Sequence, residues 1–327
     1  MPWCDKEKVR PIILSQGPLH AQDHSMDLLV APTIYTVILN WNGINDTRAC
    51  LHSLEHVYAS GQSFRSCNLK VICVDNGSEN AEGDTLKQEL PHVSVIQNGR
   101  NLGFAGGVNV GIRRALSQHD CDYILLLNND VEIDGDFLSP LLLDVSENKR
   151  TIASPAILYL STRRVQNLGG KINWWIGGTV NVGKGDLVDR CPRYSSPQFL
   201  SGCCWLAPAE AFREVGFLDE DYFAYGEDLD WCVRARRIGY TLKVNCGSII
   251  FHRHSGSSAA GSSHKVFLIA KNNILFARKH LSPAGRCLYV FNSIWAGLVI
   301  NLVKHKSLRC LPSFVQGVLE GVTQKIR

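Results

Sequence analysis

Four short runs of β-branched and aliphatic residues, each running straight into Asn, Asp or Gly, constrain this chain more than any other feature. They are Tyr35-Thr-Val-Ile-Leu-Asn40, Leu69-Lys-Val-Ile-Cys-Val74, Val93-Ser-Val-Ile96 and Tyr123-Ile-Leu-Leu-Leu127. Each has the length and composition of a strand, and the last is continuously apolar, as strands covered on both faces are. Asp46 to Tyr58 and about Ala105 to Ser117 carry apolar residues at helical spacing between them. Strand, helix, strand alternation predicts an α/β fold with a mainly parallel sheet and right-handed crossovers. In such a sheet a ligand sits beyond the carboxyl ends of the strands. Polar residues cluster at those ends: Asn40-Trp-Asn-Gly43, Asp75-Asn-Gly-Ser78, Asn98-Gly-Arg-Asn-Leu-Gly103 and Asn128-Asn-Asp130. Any one of these is ordinary turn chemistry, whereas four on one rim outline a site.

With 327 residues, 45% of them hydrophobic, the chain has enough apolar material for a large core, which excludes a disordered tail or a collagen-like repeat. Its twelve cysteines include no CxxC pair and are too sparse for a disulfide scaffold, so all are read as thiols inside the cell, mostly small core residues. No continuous apolar run in the first 30 residues leads to a small-residue cleavage site, so a loose extension and no signal peptide is expected there. The formal net charge of +4 is uneven: from Gly261 onward ten Lys or Arg face a single acid, Glu320, which leaves the preceding part acidic. A basic tail on an acidic body points the tail at an anionic surface.

The second half is less regular. Thr151 to Cys191 reads as strands or loops over a cleft, Phe199 to Leu206 as a strand, and Pro208 to about Gly216 as a helix. Gly226-Glu-Asp-Leu-Asp230 sits at a helix start, with Asp230 one turn from Arg234 and able to pair with it. Ser248-Ile-Ile-Phe251 leads to His252-Arg-His254.

Asp130, at the tip of a buried strand, is placed to hold Mg²⁺ or Mn²⁺; capping of the segment Asp134 to Leu143 is its other reading. His252 or His254 can supply a second ligand, since imidazole suits Mn²⁺, although a lone histidine is commonly just a satisfied polar group. Glu227, Asp228 and Asp230 put three carboxylates within four residues. Packed like charges raise one another's pKa, as a general base requires; a charged helix start is the plainer alternative.

Six motifs in register carry a resemblance: Asn-Trp-Asn with Val-Asp-Asn-Gly-Ser78, Arg100-Asn-Leu-Gly-Phe-Ala-Gly-Gly-Val-Asn109, Leu-Asn-Asn-Asp130, Ser-Gly-Cys-Cys204, Gly-Glu-Asp-Leu-Asp-Trp231 and His-Arg-His254. Over about residues 33 to 280 the chain resembles family 2 glycosyltransferases of the rhamnosyltransferase-like branch. That resemblance implies a GT-A fold, a nucleoside-diphosphate sugar donor (UDP- or dTDP-linked), a divalent metal and inversion at the anomeric carbon. It implies that Asp75 contacts the nucleoside, with Asn40 and Asn42 adjoining. Asn101, Gly106, Gly107 and Asn109 match the loop and helix start beside the donor, where small residues let backbone amides approach an anion. Asp130 matches the last Asp of the family's metal-binding motif; Asn128 stands where the family carries a first Asp, and Asn128 and Asn129 are counted with the donor-binding residues. Asp228 matches the catalytic base and Glu227 its neighbour, His252 is the preferred downstream metal ligand and His254 the reserve. Tyr222, Phe223, Tyr225 and Trp231 surround the base and can exclude water or stack on a sugar.

The organisation expected is an N-terminal extension (1–32), a GT-A domain (33–262) with helices on both faces of the sheet, and a basic, partly apolar helical region (263–327). Leu288 to Val303 is the most apolar stretch; as a helix it reaches roughly 24 Å, short of the roughly 30 Å hydrocarbon core, and suits an interfacial helix, a buried or partner-facing helix being the alternative. The expected acceptor is a saccharide or lipid-linked hydroxyl in surface glycan synthesis at the cytoplasmic face of a membrane, with no nucleic acid partner and a possible homo-oligomer. A nucleotidyltransferase would show a Gly-rich basic phosphate loop at the first strand, which is Asn40-Trp-Asn-Gly43 here. An inactive nucleotide-sugar-binding relative draws support from Asn128.

Overall fold

The structure, a computed structural model, describes residues 31–59, 67–175, 178–191, 194–253, 262–303 and 308–326. The expected N-terminal extension, up to residue 30, and His254 lie outside the described residues. The first half builds β1 (Thr33–Asn40), α1 (Ile44–Ala59), β2 (Asn68–Asp75), α2 (Glu82–Glu89), β3 (Ser94–Gln97), α3 (Gly103–Leu116) and β4 (Tyr123–Asn128). There follow β5 (Val131–Glu132), α4 (Leu138–Glu147), β6 (Thr151–Tyr159), β7 (Val165–Asn167), β8 (Gly170–Ile172), β9 (Thr179–Asn181), β10 (Tyr194–Ser195) and β11 (Cys204–Pro208). The chain continues through α5 (Ala209–Val215), α6 (Glu227–Arg237), β12 (Thr241–His252), α7 (Ser263–His280), α8 (Pro283–Val303) and α9 (Leu311–Thr323).

The main sheet runs β10-β12-β6-β11-β4-β1-β2-β3, with β5 on β12 and β7 on β6. β1, β2, β3 and β4 are parallel, as are β6 and β12, and β11 lies antiparallel between β4 and β6. Both faces are covered. Tyr35 and Val37 of β1 point into one core with α3, α5 and α6, whereas Ile34 and Ile38 point into the other with α1 and α4. Period-two alternation within a strand buried on both sides produces this division.

The structure corrects three expectations. Thr151–Tyr159, read as part of a cleft cover, is a buried strand between β12 and β11; its nine residues pack on both sides and hold no charge. Cys191 and Cys246 form a disulfide across 55 residues, so the cysteines are not all thiols. No spacing motif announces this pair, because it depends on Tyr194 and Ser195 lying against Asn245 and Val244 of β12. The helix expected from Asp134 begins at Leu138, where Asp136 Oδ1 accepts from Ser139 N at 3.0 Å. Capping there belongs to Asp136, not Asp130.

Glycines on α3 set the helix-to-sheet distance. A Cβ on Gly107 would lie 2.5 Å from Leu39 Cδ1, and one on Gly111 would meet Val37. Gly111→Val therefore overpacks this face and should lower unfolding stability by about 1–3 kcal/mol; an unchanged denaturation midpoint would contradict the close approach.

Candidate active site

At the carboxyl end of the sheet, β1 and β2 finish in register, Asn40 beside Asp75. Asn40 is fully buried, and its Nδ2 lies 3.0 Å from Asp75 Oδ1, 3.1 Å from Ser78 Oγ and 2.9 Å from Glu82 Oε2, while Thr47 Oγ1 donates to Asn40 Oδ1 at 2.6 Å. Its amide is thus committed to orienting Asp75 and Glu82 from below. Asn42, at φ 50°, accepts from Glu79 N at 2.8 Å and closes the turn over this end. Asn76 joins the next loop: it donates to Asn101 Oδ1 and Gly103 O at 3.0 Å and accepts from Leu102 N at 3.1 Å.

The amides at the start of α3 are taken by the protein itself. Gly103 N donates to Asn101 Oδ1 at 2.8 Å and Ala105 N to Phe223 O at 3.2 Å. Gly106 packs on Leu102 and Gly107 on Leu39, so these glycines serve close packing. Asn109 is buried one turn further on, donating to Leu218 O at 2.8 Å and Glu220 Oε1 at 3.0 Å and accepting from Leu218 N. It anchors the segment that leads to α6 and does not reach the strand ends.

Asp130 and His252, 122 positions apart, meet because β5 turns back and pairs with the end of β12, Val131 opposite His252. Arg253 N donates to Asp130 O at 2.9 Å, and His252 Nε2 lies 2.9 Å from Asp130 Oδ1. His252 Nδ1 lies 2.9 Å from Gln166 Oε1. With Nδ1–H donating to that oxygen, the Nε2 lone pair faces a carboxylate, an arrangement a cation between them satisfies. A carboxylate and an imidazole fit Mn²⁺ or Mg²⁺ when a diphosphate supplies further oxygens. Among the described residues no group of three or more His, Cys, Asp or Glu gathers to hold an ion without such help. Asn129 Nδ2 donates to Thr47 Oγ1 at 2.9 Å and Asn128 N to Cys203 O at 2.8 Å, which tie the motif to α1 and to the turn before β11.

The second cluster stands at the N-terminus of α6. Asp228 Oδ2 accepts from Gly202 N at 2.8 Å and Oδ1 from Leu229 N at 2.7 Å. Burial raises its pKa above the ordinary carboxylate range despite those amide donors. Glu227 is buried, and its Oε2 has no hydrogen-bond partner. Burial, and next the charge of Asp228, push its carboxyl up to about 8. Asp230 points the other way. Arg234 Nε lies 2.7 Å from its Oδ2 and His280 Nε2 2.7 Å from its Oδ1; burial opposes ionisation there, but these two partners outweigh it and lower the pKa. The expected pairing with Arg234 is present, and the three carboxylates do not act as one cluster.

Glu227 and Asp228 line a cavity of about 330 Å³ with Phe199, Tyr225, Asn272 and Phe276 among its walls. Of the four aromatic residues expected around the base, Tyr225 lines this cavity, while Tyr222 and Trp231 belong to the core. Trp231 packs 4.6 Å from Trp205 and 5.0 Å from Phe212 and donates Nε1–H to Gly216 O at 2.7 Å, which fixes α6 from beneath. The loop before α6 has Phe223, Tyr225 and Gly226 at φ 63°, 69° and 106°. Asn272 of α7 holds it, with Nδ2 at 3.0, 2.8 and 2.6 Å from the carbonyls of Tyr222, Ala224 and Tyr225. Lys279, also on α7, pairs with Asp219 and Asp221. Sequence reading assigns no role to Gln166, Gly202 or Asn272, although Gly202 lies within the Ser-Gly-Cys-Cys204 motif and Asn272 in an Asn-Asn pair of α7.

A mixed, mainly parallel sheet with helices on both faces and a polar cleft at its strand ends is the GT-A architecture, and the solved structures bear this out. The chain superposes on GalNAc-T7 with UDP, GalNAc and Mn²⁺ at a TM-score of 0.62 and 16% identity, covering 90% of this chain and 56% of that longer one. A mannosyltransferase from Pyrobaculum calidifontis with GDP-Man and Mn²⁺ gives 0.56 at 11% identity, covering 92% and 90%. The glycosyl transferase family 2 profile matches residues 35–216, and the chain belongs to that family. It is 25% identical over 267 residues to the low-salt glycan biosynthesis hexosyltransferase Agl10 of Haloferax volcanii, covering 78% of this chain and 83% of the relative. It is 26% identical over 254 residues to the N-acetylglucosaminyl-diphospho-decaprenol L-rhamnosyltransferase of Mycobacterium tuberculosis, covering 69% and 80%. The chain is a glycosyltransferase of the rhamnosyltransferase-like branch.

The raised Glu227 carboxyl has a consequence for stability. Between the ordinary 4.5 and about 8 the folded chain keeps a proton that the unfolded chain releases. Its stabilising contribution is therefore full below the lower value and lost as pH rises through the upper one. Relative to wild type, Glu227→Gln should gain at least about 3 °C more in Tm at pH 8 than at pH 5. Parallel Tm curves across that interval would refute the assignment.

Proposed function

We propose that this protein is a metal-dependent, inverting glycosyltransferase that moves a sugar from a UDP- or dTDP-linked donor to a hydroxyl of a saccharide or lipid-linked acceptor. The observation that carries this reading is the pair of carboxyls at the head of α6, Glu227 buried with its Oε2 unpartnered and Asp228 half-buried beside it. They face a cavity near the start of β11, which lies at the sheet end where β1, β2 and β4 finish. Asp75 receives the nucleoside, with Asn40 holding it and Asn42, Asn101, Asn128 and Asn129 shaping the surrounding turns. Asp130 and His252 hold the divalent metal, which when bound neutralises charge on the departing diphosphate. Arg253, exposed beside them, pairs with Asp46 at 3.4 Å and Glu132 at 3.5 Å.

Asp228 is the general base. Two backbone amides fix its carboxylate, and burial raises its proton affinity, so it can accept the proton of an acceptor hydroxyl in the cavity as that oxygen attacks the sugar. Glu227 retains its own proton at neutral pH and keeps the pair at a single negative charge. No covalent sugar intermediate is required, and attack from the face opposite the diphosphate inverts the anomeric centre. A hydrolase would need two carboxyls flanking one bond and no nucleotide end. The relative acting on a decaprenol-linked acceptor supports a lipid-linked acceptor here. The basic C-terminal region supports peripheral work at the cytoplasmic face, the leaflet with the negative surface potential.

With nucleotide-sugar donors and Mn²⁺, Asp228→Asn should bind donor yet release nucleoside diphosphate at least about 100-fold more slowly, as loss of a general base implies. Near-normal turnover would remove Asp228 from that role. Gln166→Leu should raise the Mn²⁺ concentration for half-maximal rate by about 10-fold or more with little effect on donor KM, because it frees the His252 ring; an unchanged metal titration would dissociate His252 from the metal.

A further inference from the structure

α8 carries an apolar stripe that is exposed among the described residues. Leu288, Phe291, Trp295 and Val299 are 44, 68, 64 and 41% exposed, and their spacing of three, four and four residues places them on one side of the helix. Gly297, half a turn away, meets Phe314 of α9, so the packed side of α8 is the opposite one. Trp175, 75% exposed, extends the stripe from the β8–β9 hairpin: Asn292 Nδ2 donates to Trp175 O at 3.0 Å, and Gly178 N donates to Tyr289 Oη at 3.1 Å. The same hairpin reaches the cavity through Thr179 and Asn181, and Phe276 contacts Trp174, Tyr289 and that cavity.

Charge decides what fits this face. No acidic residue occurs between Asp230 and Glu320. Several cations of this stretch are used internally: Lys279 pairs with Asp219 and Asp221, Arg278 donates to Gly321 O and Gln324 O, and Lys271 to Asp221 O. In the sequence, Arg286 precedes the stripe, and Lys304, Lys306 and Arg309 follow it. Among the described residues no helix is long and apolar enough to cross a membrane. An amphipathic helix with bulky aromatic residues on one side and basic flanks lies in the plane of an anionic bilayer surface.

We propose that Trp175 together with the Leu288–Phe291–Trp295–Val299 stripe is a docking face for an anionic lipid bilayer, which sets the mouth of the Glu227–Asp228 cavity at the membrane surface. This rests on the reading of a lipid-linked acceptor and identifies the surface that meets its membrane. The full chain and a Trp175→Ser/Trp295→Ser variant are floated on phosphatidylcholine vesicles with and without phosphatidylglycerol. Wild type should bind the anionic vesicles, more weakly as salt rises, and the variant should lose at least about tenfold in affinity. Its melting temperature and its slow hydrolysis of the nucleotide-sugar donor should stay unchanged, since neither tryptophan belongs to the site. Equal flotation of the two proteins would overturn the proposal. So would failure of wild type to float combined with a dimer that the two substitutions dissolve, which would assign the face to a second copy. Flotation without any turnover of UDP- or dTDP-linked donors would leave the docking face standing and remove the proposed donor reading instead.

Discussion

The head of α6 depends on a clamp from outside the central sheet. Phe223, Tyr225 and Gly226 all take positive φ, a conformation that costs non-glycine residues on the order of 1–3 kcal/mol each. Three carbonyls of this loop converge on the single amide nitrogen of Asn272. Tyr222 O also accepts from Ala224 N at 2.7 Å, so the carbonyls of Ala224 and Tyr225 depend most on that donor, and without it the loop could relax. α7, on the far side of the boundary expected near residue 262, is thus part of the site: it holds the loop, pairs Lys279 with Asp219 and Asp221, and sends His280 to Asp230. Asp230 is drawn away from the cavity by His280 and Arg234, which leaves Glu227 and Asp228 as the facing pair.

The two ends of the cleft are built on different principles. At the strand ends of β1 and β2, uncharged amides carry the load. Asn40 and Asn76 each bridge several loops, so the rim is rigid before any ligand arrives. At the head of α6, one carboxyl oxygen, Glu227 Oε2, is left buried and unpartnered. Such a group is costly in a folded chain unless a ligand uses it, and the raised pKa of Glu227 is the thermodynamic record of that cost. The Asp130–His252 end lies between these extremes, a carboxylate and an imidazole brought together by strand pairing and steadied by Gln166.

Much of this was legible in local sequence. The four strands with polar ends, the helix opening at Glu227 and the Asp230–Arg234 pair follow from periodicity and one-turn spacing, and Asp130, His252, Glu227 and Asp228 stood out by residue type and context. Other readings failed where residue type suited two environments. Trp231 near an acidic cluster resembles a sugar platform, yet an indole packs equally well against Trp205 and Phe212 with its N–H on Gly216 O. The α3 glycines resemble an anion cradle, yet they lie where the helix presses on Leu39 and Val37. Cys191 and Cys246 look like any other core thiols until β10 and β12 are adjacent.

By itself the sequence determined the alternation of elements, and hence a mainly parallel sheet with a polar rim at its carboxyl ends, because hydrophobic period and turn chemistry are encoded within a few residues of each other. It also determined the uneven charge, since no fold can add an acid between Asp230 and Glu320. The tertiary structure alone decided which rim residues are scaffold and which face the cleft, which cations of the tail are spent inside, and which partners reach across the chain to Asp130, Asp228 and the loop before α6. Those are matters of strand register and helix docking between segments far apart in sequence. They are set by the burial of both faces of one sheet and leave no trace in local spacing.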